Sequence, residues 1–264
     1  AQVYAGSTVI APNATLFLTG AGDLSRSSGV EADGTFDISG VTASSVGINK
    51  LFGNGDVEIG SKTLVVAGNG GVFSGILSDG GNHGGLTVLG DQVLNGVVSL
   101  TGTTTIGTGA TLTVSGPDAL GGSALNFQAG SILKFGGSGT YTNAMTFATG
   151  APVFDVTNQS VILSGVLGGP GDLAVTGANG TLTLTNTGNT YAGGTEVYGN
   201  ATLNVGADSE LGAVAALQLG DASTKGTLQY GASFALDSGR TMTLNAGGGV
   251  INTNGFDATI ASTI

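Results

Sequence analysis

Short runs in which apolar and polar residues alternate return about every ten residues along this chain, and each is stopped by glycine, asparagine, aspartate or serine. That pattern constrains the fold more than any other feature. "TLFLTG" from Thr15, "TLVVAG" from Thr63, "TLTVSG" from Thr111, "TLTLTN" from Thr181 and "TLNVG" from Thr202 are examples. A period of two sends leucine and valine to one face of a strand and threonine or asparagine to the other. The terminators are residues that tolerate the positive φ of a tight turn. Helical periodicity is missing, and the best exception, "ELGAVAALQLG" from Glu210, is short and bounded by glycine. The fold class expected is all-β.

An 11-residue pattern recurs as "ATLFLTGAGDL" at Ala14, "ATLTVSGPDAL" at Ala110 and "ATLNVGADSEL" at Ala201, at separations of 96 and 91 residues. A second marker keeps the phase. Ser74-Gly75-Ile76-Leu77 is matched by Ser164-Gly165-Val166-Leu167, and loosely by Ala261-Ser262-Thr263-Ile264. The chain therefore reads as one domain, 1–264, built of about three irregular copies at approximately 14–109, 110–200 and 201–264. Each copy holds about four strand-turn groups of roughly 20 to 25 residues, the size of one coil in a stacked repeat. Hairpins would need more turn signals than Asn-Gly pairs such as Asn95-Gly96, Asn179-Gly180 and Asn254-Gly255 supply. A right-handed parallel β-helix of about 11 coils is expected, with like residues stacked coil over coil and the hand taken from the general preference for right-handed crossovers.

Composition narrows the partners. Of 264 residues 51 are glycine, without the strict period of a collagen. Six Lys+Arg stand against 17 Asp+Glu, and a net charge of -11 repels nucleic acid and anionic lipid. There is no cysteine, so neither disulfides nor thiolate metal sites are expected. No apolar run is long enough for a transmembrane helix, and the opening "AQVYAG" does not read as a signal peptide. Low charge with abundant Thr, Ser and Asn suggests an extracellular surface.

"GTLTLTNTGNTYAGGTEVYGNATLNVG", from Gly180, sets Leu182 and Leu184 before Asn189-Thr190-Tyr191 and Gly193-Gly194-Thr195, then Val197 and Leu203. This stretch resembles the passenger-associated transport repeat of bacterial autotransporters. "VILSGVLGGPGDLAVTG" before it resembles that repeat's lead-in, and "LNAGGGVINTNGFDATIASTI" resembles the segment preceding another. Between Leu86 and Val114 the flanking strands persist, but "VLNGVVSLTG" replaces the Asn-Thr-Tyr corner. The resemblance implies a secreted parallel β-helix delivered by type V secretion. The membrane β-barrel of such proteins is not among these residues, which reads as a passenger fragment or a chain whose barrel was cleaved away.

Candidates for chemistry are few. His83, the sole histidine, lies in "SDGGNHGG", expected as an exposed turn without a nucleophile beside it. "GDLS" from Gly22 lacks partners for an esterase. A glycan-active β-helix would need converging carboxylates; Glu31, Asp33 and Asp37, or Asp208 and Glu210, read as solvated turns, and Arg26 and Arg240 are the only arginines. Glu31 with Asp33 could hold calcium weakly, and Asp172 in "GGPGDLAVT" sits one residue short of a calcium repeat. Tyr191 is expected to lie across an aliphatic stack, a ligand contact being the alternative. The triplets at Asn13, Asn158, Asn179 and Asn200 read as turn-Asn followed by strand-Thr rather than as glycosylation sites. Thr181-Thr183-Thr185 and Thr241-Thr243 fall at unequal intervals, against the single flat array that binding to ice requires.

The expected function is a non-enzymatic, cell-surface passenger segment without catalytic, metal or cofactor residues. It would act in adhesion to a host or neighbouring cell, or in self-association. A head-to-tail filament subunit is the alternative, and a glycan-active enzyme the second.

Overall fold

In the computed structural model, residues 5–261 and Ile264 are described. The opening Ala1–Tyr4 and residues 262–263 of the third Ser-Gly-type marker lie outside them. The chain forms two compact units, Ala1–Asn126 and Phe127–Ile264. Strands and turns make up nearly all of both units, and every sheet is parallel, in coils that together make a β-solenoid of about 12 turns. Among the described residues no helix is long and apolar enough to cross a membrane; the helical elements are two short 3-10 turns, Pro117–Ala119 and Asp208–Leu211.

In the first unit Thr15–Gly20, Thr35–Val41, Asp56–Glu58, Ile76–Ser78 and Val97–Ser99 pair in succession as one sheet. Ser45–Ile48, Thr63–Val66, Gly85–Val88 and Thr103–Ile106 form a second. Gly71–Phe73, Asp91–Leu94 and Thr111–Val114 form a third. In the second unit one face carries Ile132–Phe135, Val153–Asp155, Leu173–Thr176, Thr195–Val197, Leu217–Leu219 and Met242–Leu244. Another carries Gly139–Tyr141, Ser160–Leu163, Thr181–Leu184, Thr202–Val205, Gly226–Tyr230 and Gly249–Asn252. Among the described residues each strand pairs with the strand one coil later and none with a hairpin neighbour, because the turns carry the chain onward to the next face.

Alternation then does the packing. In Thr181-Leu182-Thr183-Leu184 both leucines are buried and both threonines half-exposed. Register stacks Val161, Leu182, Leu203 and Leu228 in one inward column and Leu163, Leu184, Val205 and Tyr230 in the next. Phe36, Val57, Leu77 and Val98 do the same in the first unit. Each fully buried aliphatic side chain contributes about 1.5–3 kcal/mol relative to exposure. The second unit adds an aromatic cluster: Phe147 meets Phe127, Phe154 and Tyr191 at centroid distances of 5.7, 5.7 and 5.8 Å. Two of these contacts are edge-on, an arrangement the ring quadrupoles favour.

The recurring 11-residue pattern has a local cause. Ala14, Ala110 and Ala201 each close a turn by donating to the carbonyl three residues back, on Ala11, Gly107 and Tyr198. The residue before each adopts positive φ: Asn13 at 65°, Gly109 at 67° and Asn200 at 62°. The unit repeated is a left-handed turn followed by a strand. Similarly, the two Ser-Gly markers occur where coils approach closely, since a Cβ on Gly75 would strike the Gly55 carbonyl and one on Gly165 the Asn143 carbonyl.

Candidate functional site

The second unit turns one uncharged face to solvent. Outward positions of its stacked strands form two columns: Ser160, Thr181, Thr202 and Thr227, and beside them Ile162, Thr183, Asn204, Gln229 and Asn252. Rungs are one strand spacing apart, about 4.8 Å, and the columns lie two residues apart along each strand, about 6.6 Å. Asn204 Nδ2 donates to Gln229 Oε1 at 3.1 Å, so these two amides hold one another across adjacent rungs. At the turn leading into the face Asn158, Asn179 and Asn200 hold φ of 58°, 60° and 62°, and Asn179 Nδ2 donates to Asn158 Oδ1 at 3.2 Å. Asparagine suits that backbone better than any residue but glycine. These are the asparagines of three of the four Asn-x-Ser/Thr triplets, and Asn13 in the fourth has φ of 65°. Turn-Asn followed by strand-Thr is their structural origin.

The threonine column corrects one expectation. Thr181, Thr202 and Thr227 are separated by 21 and 25 residues, yet they stand in register because the surplus bulges out through the turn Asp221–Lys225. Thr243 belongs to another face, opposite Gln218. Unequal spacing in the sequence does not prevent an ordered array in the fold.

Past the end of Thr181–Leu184 the chain turns through the Asn-Thr-Tyr corner, which stacks on Leu167–Gly168 of a neighbouring sheet. Asn189 is 7% exposed; its Oδ1 accepts from the Leu167 N–H of the preceding coil at 2.9 Å, and its Nδ2 donates to the Glu210 carbonyl of the following coil at 2.8 Å. Thr190, Ala192 and Gly193 continue the backbone ladder to Leu167, Gly169 and Gly171. Tyr191 is fully buried, with its hydroxyl 2.7 Å from Thr195 Oγ1, which leaves it no surface for a ligand. Burial pushes its pKa up to about 12, while the Thr195 hydroxyl and the Arg240 charge oppose the rise.

Arg240 is buried as well. Its Nε meets Asp208 Oδ1 at 3.0 Å and its Nη1 donates to the Ala213 carbonyl at 3.1 Å, so the cation is spent holding the 3-10 turn. Glu210, read from the sequence as a solvated turn residue, is instead 7% exposed; its Oε2 accepts from Gly206 N–H at 2.7 Å, and burial raises its pKa. Asp172 Oδ1 accepts from Gly194 N–H at 2.7 Å, tying the lead-in to the corner.

The remaining candidates lie in the first unit. His83 is exposed with φ of 58°, and its N–H donates to Thr101 Oγ1. The carboxylate beside it, Asp79, is buried and accepts from Gly81, Gly84 and Thr101 N–H and from the Thr101 hydroxyl. Burial alone would raise its pKa, but these donors outweigh it and hold the group below the ordinary value. Asp23 of "GDLS" accepts from the Ser25 hydroxyl and N–H, which lower its pKa. Asp33 Oδ1 accepts from Asn54 N–H and Asp37 Oδ1 from Ser39 N–H; Glu31 points outward on Gly29–Ala32.

Register sets Asp37 beside Glu58, with Asp56 two residues along, a pairing across coils invisible in sequence. Burial, then the charges of Asp37, Asp56 and Asp79, push the Glu58 pKa up. Among the described residues no three His, Cys, Asp or Glu side chains gather as a metal set. Comparison of the chain with protein-family models, with curated proteins and with solved structures finds no match.

Proposed function

We propose that this chain is a non-enzymatic, cell-surface β-solenoid scaffold, a segment of an autotransporter passenger that works by adhesion or self-association through its exposed sheet faces. The observation carrying it is the uncharged, in-register face of Ser160, Thr181, Thr202 and Thr227, followed along the chain by a corner whose Asn189, Tyr191 and Thr195 are wholly engaged in packing. Many weak polar contacts on a repetitive surface sum to useful avidity. Beads coated with the full chain should attach to cells or to one another, whereas beads coated with an unrelated protein of similar charge should not. Equal behaviour of the two would reject the reading.

The Asp37–Glu58 pair supports a second reading, a glycan-active enzyme, because a carboxyl whose pKa is raised by burial and by a facing carboxylate is what the acid of glycoside hydrolysis requires. Release of reducing ends from a polysaccharide panel, abolished by Glu58→Gln, would favour it. Electron microscopy addresses the filament alternative, which requires long fibres instead of discrete particles.

A further inference from the structure

We propose that the uncharged face of the second unit binds an extended, neutral polysaccharide lying along the stack, one sugar residue to each coil. The inference deepens the adhesive reading above and rests on it.

Charge selects the partner first. The outward columns through Thr181 and Thr183 carry no carboxylate or ammonium, although the chain as a whole bears a net charge of -11. Charged groups of the same unit stand on its other strands, as with Lys134 and Asp155, paired at 3.6 Å, or in its turns, as with the exposed Lys225 opposite Asn200 at the border of the face. An anionic polymer would be repelled by the net charge, and a cationic one would find no counter-charge on these columns. Chemistry selects next. Threonine hydroxyls and the amides of Asn204 and Gln229 each donate and accept, the pairing that sugar hydroxyls require. Only Ile162 and Val250 are aliphatic at these positions, too few to hold the apolar side of a protein partner.

Spacing selects last. A rung recurs about every 4.8 Å. An extended β-linked pyranose chain advances by a comparable length per sugar, with alternate sugars turned over, so one running along the stack sets a hydroxyl-bearing edge against each rung and the same edge against every second rung. Within the columns Asn204 and Gln229 already hold one another, and the Asn179–Asn158 bond orders the turn beside them, which lowers the entropy lost on binding. Ice fits less well, because amide side chains of unequal reach stand beside the threonines and spoil a flat lattice.

The test incubates the full chain with microcrystalline cellulose, with alginate beads and with growing ice. The expected result is retention on cellulose, insensitive to added salt, with about a tenfold loss in the Thr181→Val/Thr202→Val double variant. Valine keeps the β-branch at these half-exposed positions, so the circular dichroism spectrum and melting temperature should match the parent. Absence of retention on cellulose, equal retention by the double variant, preference for alginate or partition into ice would each overturn the proposal. The wider reading is judged separately by bead attachment: attachment without cellulose binding rejects the polysaccharide and leaves adhesion standing, and no attachment of any kind rejects both.

Discussion

One amide side chain links three successive coils where Asn189 accepts from Leu167 and donates to Glu210. Asn189→Ala would orphan both backbone groups in a buried place, at a cost of about 2–4 kcal/mol in urea denaturation. Asn189→Asp keeps the acceptor but cannot donate, so it should fall below the parent too. Arg240 is a harsher case: Arg240→Ala strands the Asp208 carboxylate and several carbonyls, and should lose about 3–5 kcal/mol by the same measurement. At high pH Tyr191 takes over. Its pKa rises from an ordinary 10.0 to about 12 on folding, so its share of stability is complete below pH 10 and is lost as pH climbs toward 12. Tyrosinate absorbance should therefore rise together with loss of circular dichroism in that window, and Tyr191→Phe should flatten the decline.

Strands are the scale at which the fold announces itself in the sequence. Thr181-Leu182-Thr183-Leu184 states by its period which side is core, and Asn179-Gly180 before it states where the chain turns. Leu203→Ala, in the middle of the column from Val161 to Leu228, should cost about 2–5 kcal/mol through the cavity it leaves. Gly165→Ala should destabilise through a collision with the Asn143 carbonyl that only a backbone shift relieves, seen as a lower melting temperature. What the sequence withheld is register. Thr202 and Thr227 sit opposite one another only because the turn between them absorbs the extra residues, and Asp37 meets Glu58 only through stacking. Glu210 and Arg240 were unreadable for a related reason: each satisfies backbone groups around the 3-10 turn Asp208–Leu211, and a short turn leaves no periodic trace from which such caps could be inferred.

For the molecule as a whole, surface charge governs association. A sequence pI of about 4.1 means that the repulsion keeping chains apart fades as the solution is acidified. Light scattering should report growth in particle size near pH 4 and little of it at neutral pH; the same size at both would contradict self-association through neutral faces. Because each coil leans mainly on the coils next to it, the solenoid has no single central core whose loss would be felt everywhere at once. The turn Asp221–Lys225 shows what that permits. Thr202 and Thr227 remain neighbours across 25 residues where Thr181 and Thr202 need 21, so this bend has already accepted a longer route at no cost to the rungs on either side. Such a bend can be lengthened while the spine stays constant, and an epitope tag spliced between Ala222 and Ser223 should be presented with only a small fall in melting temperature, the share lost with the Asp221 hydrogen bonds to Ser223 and Thr224.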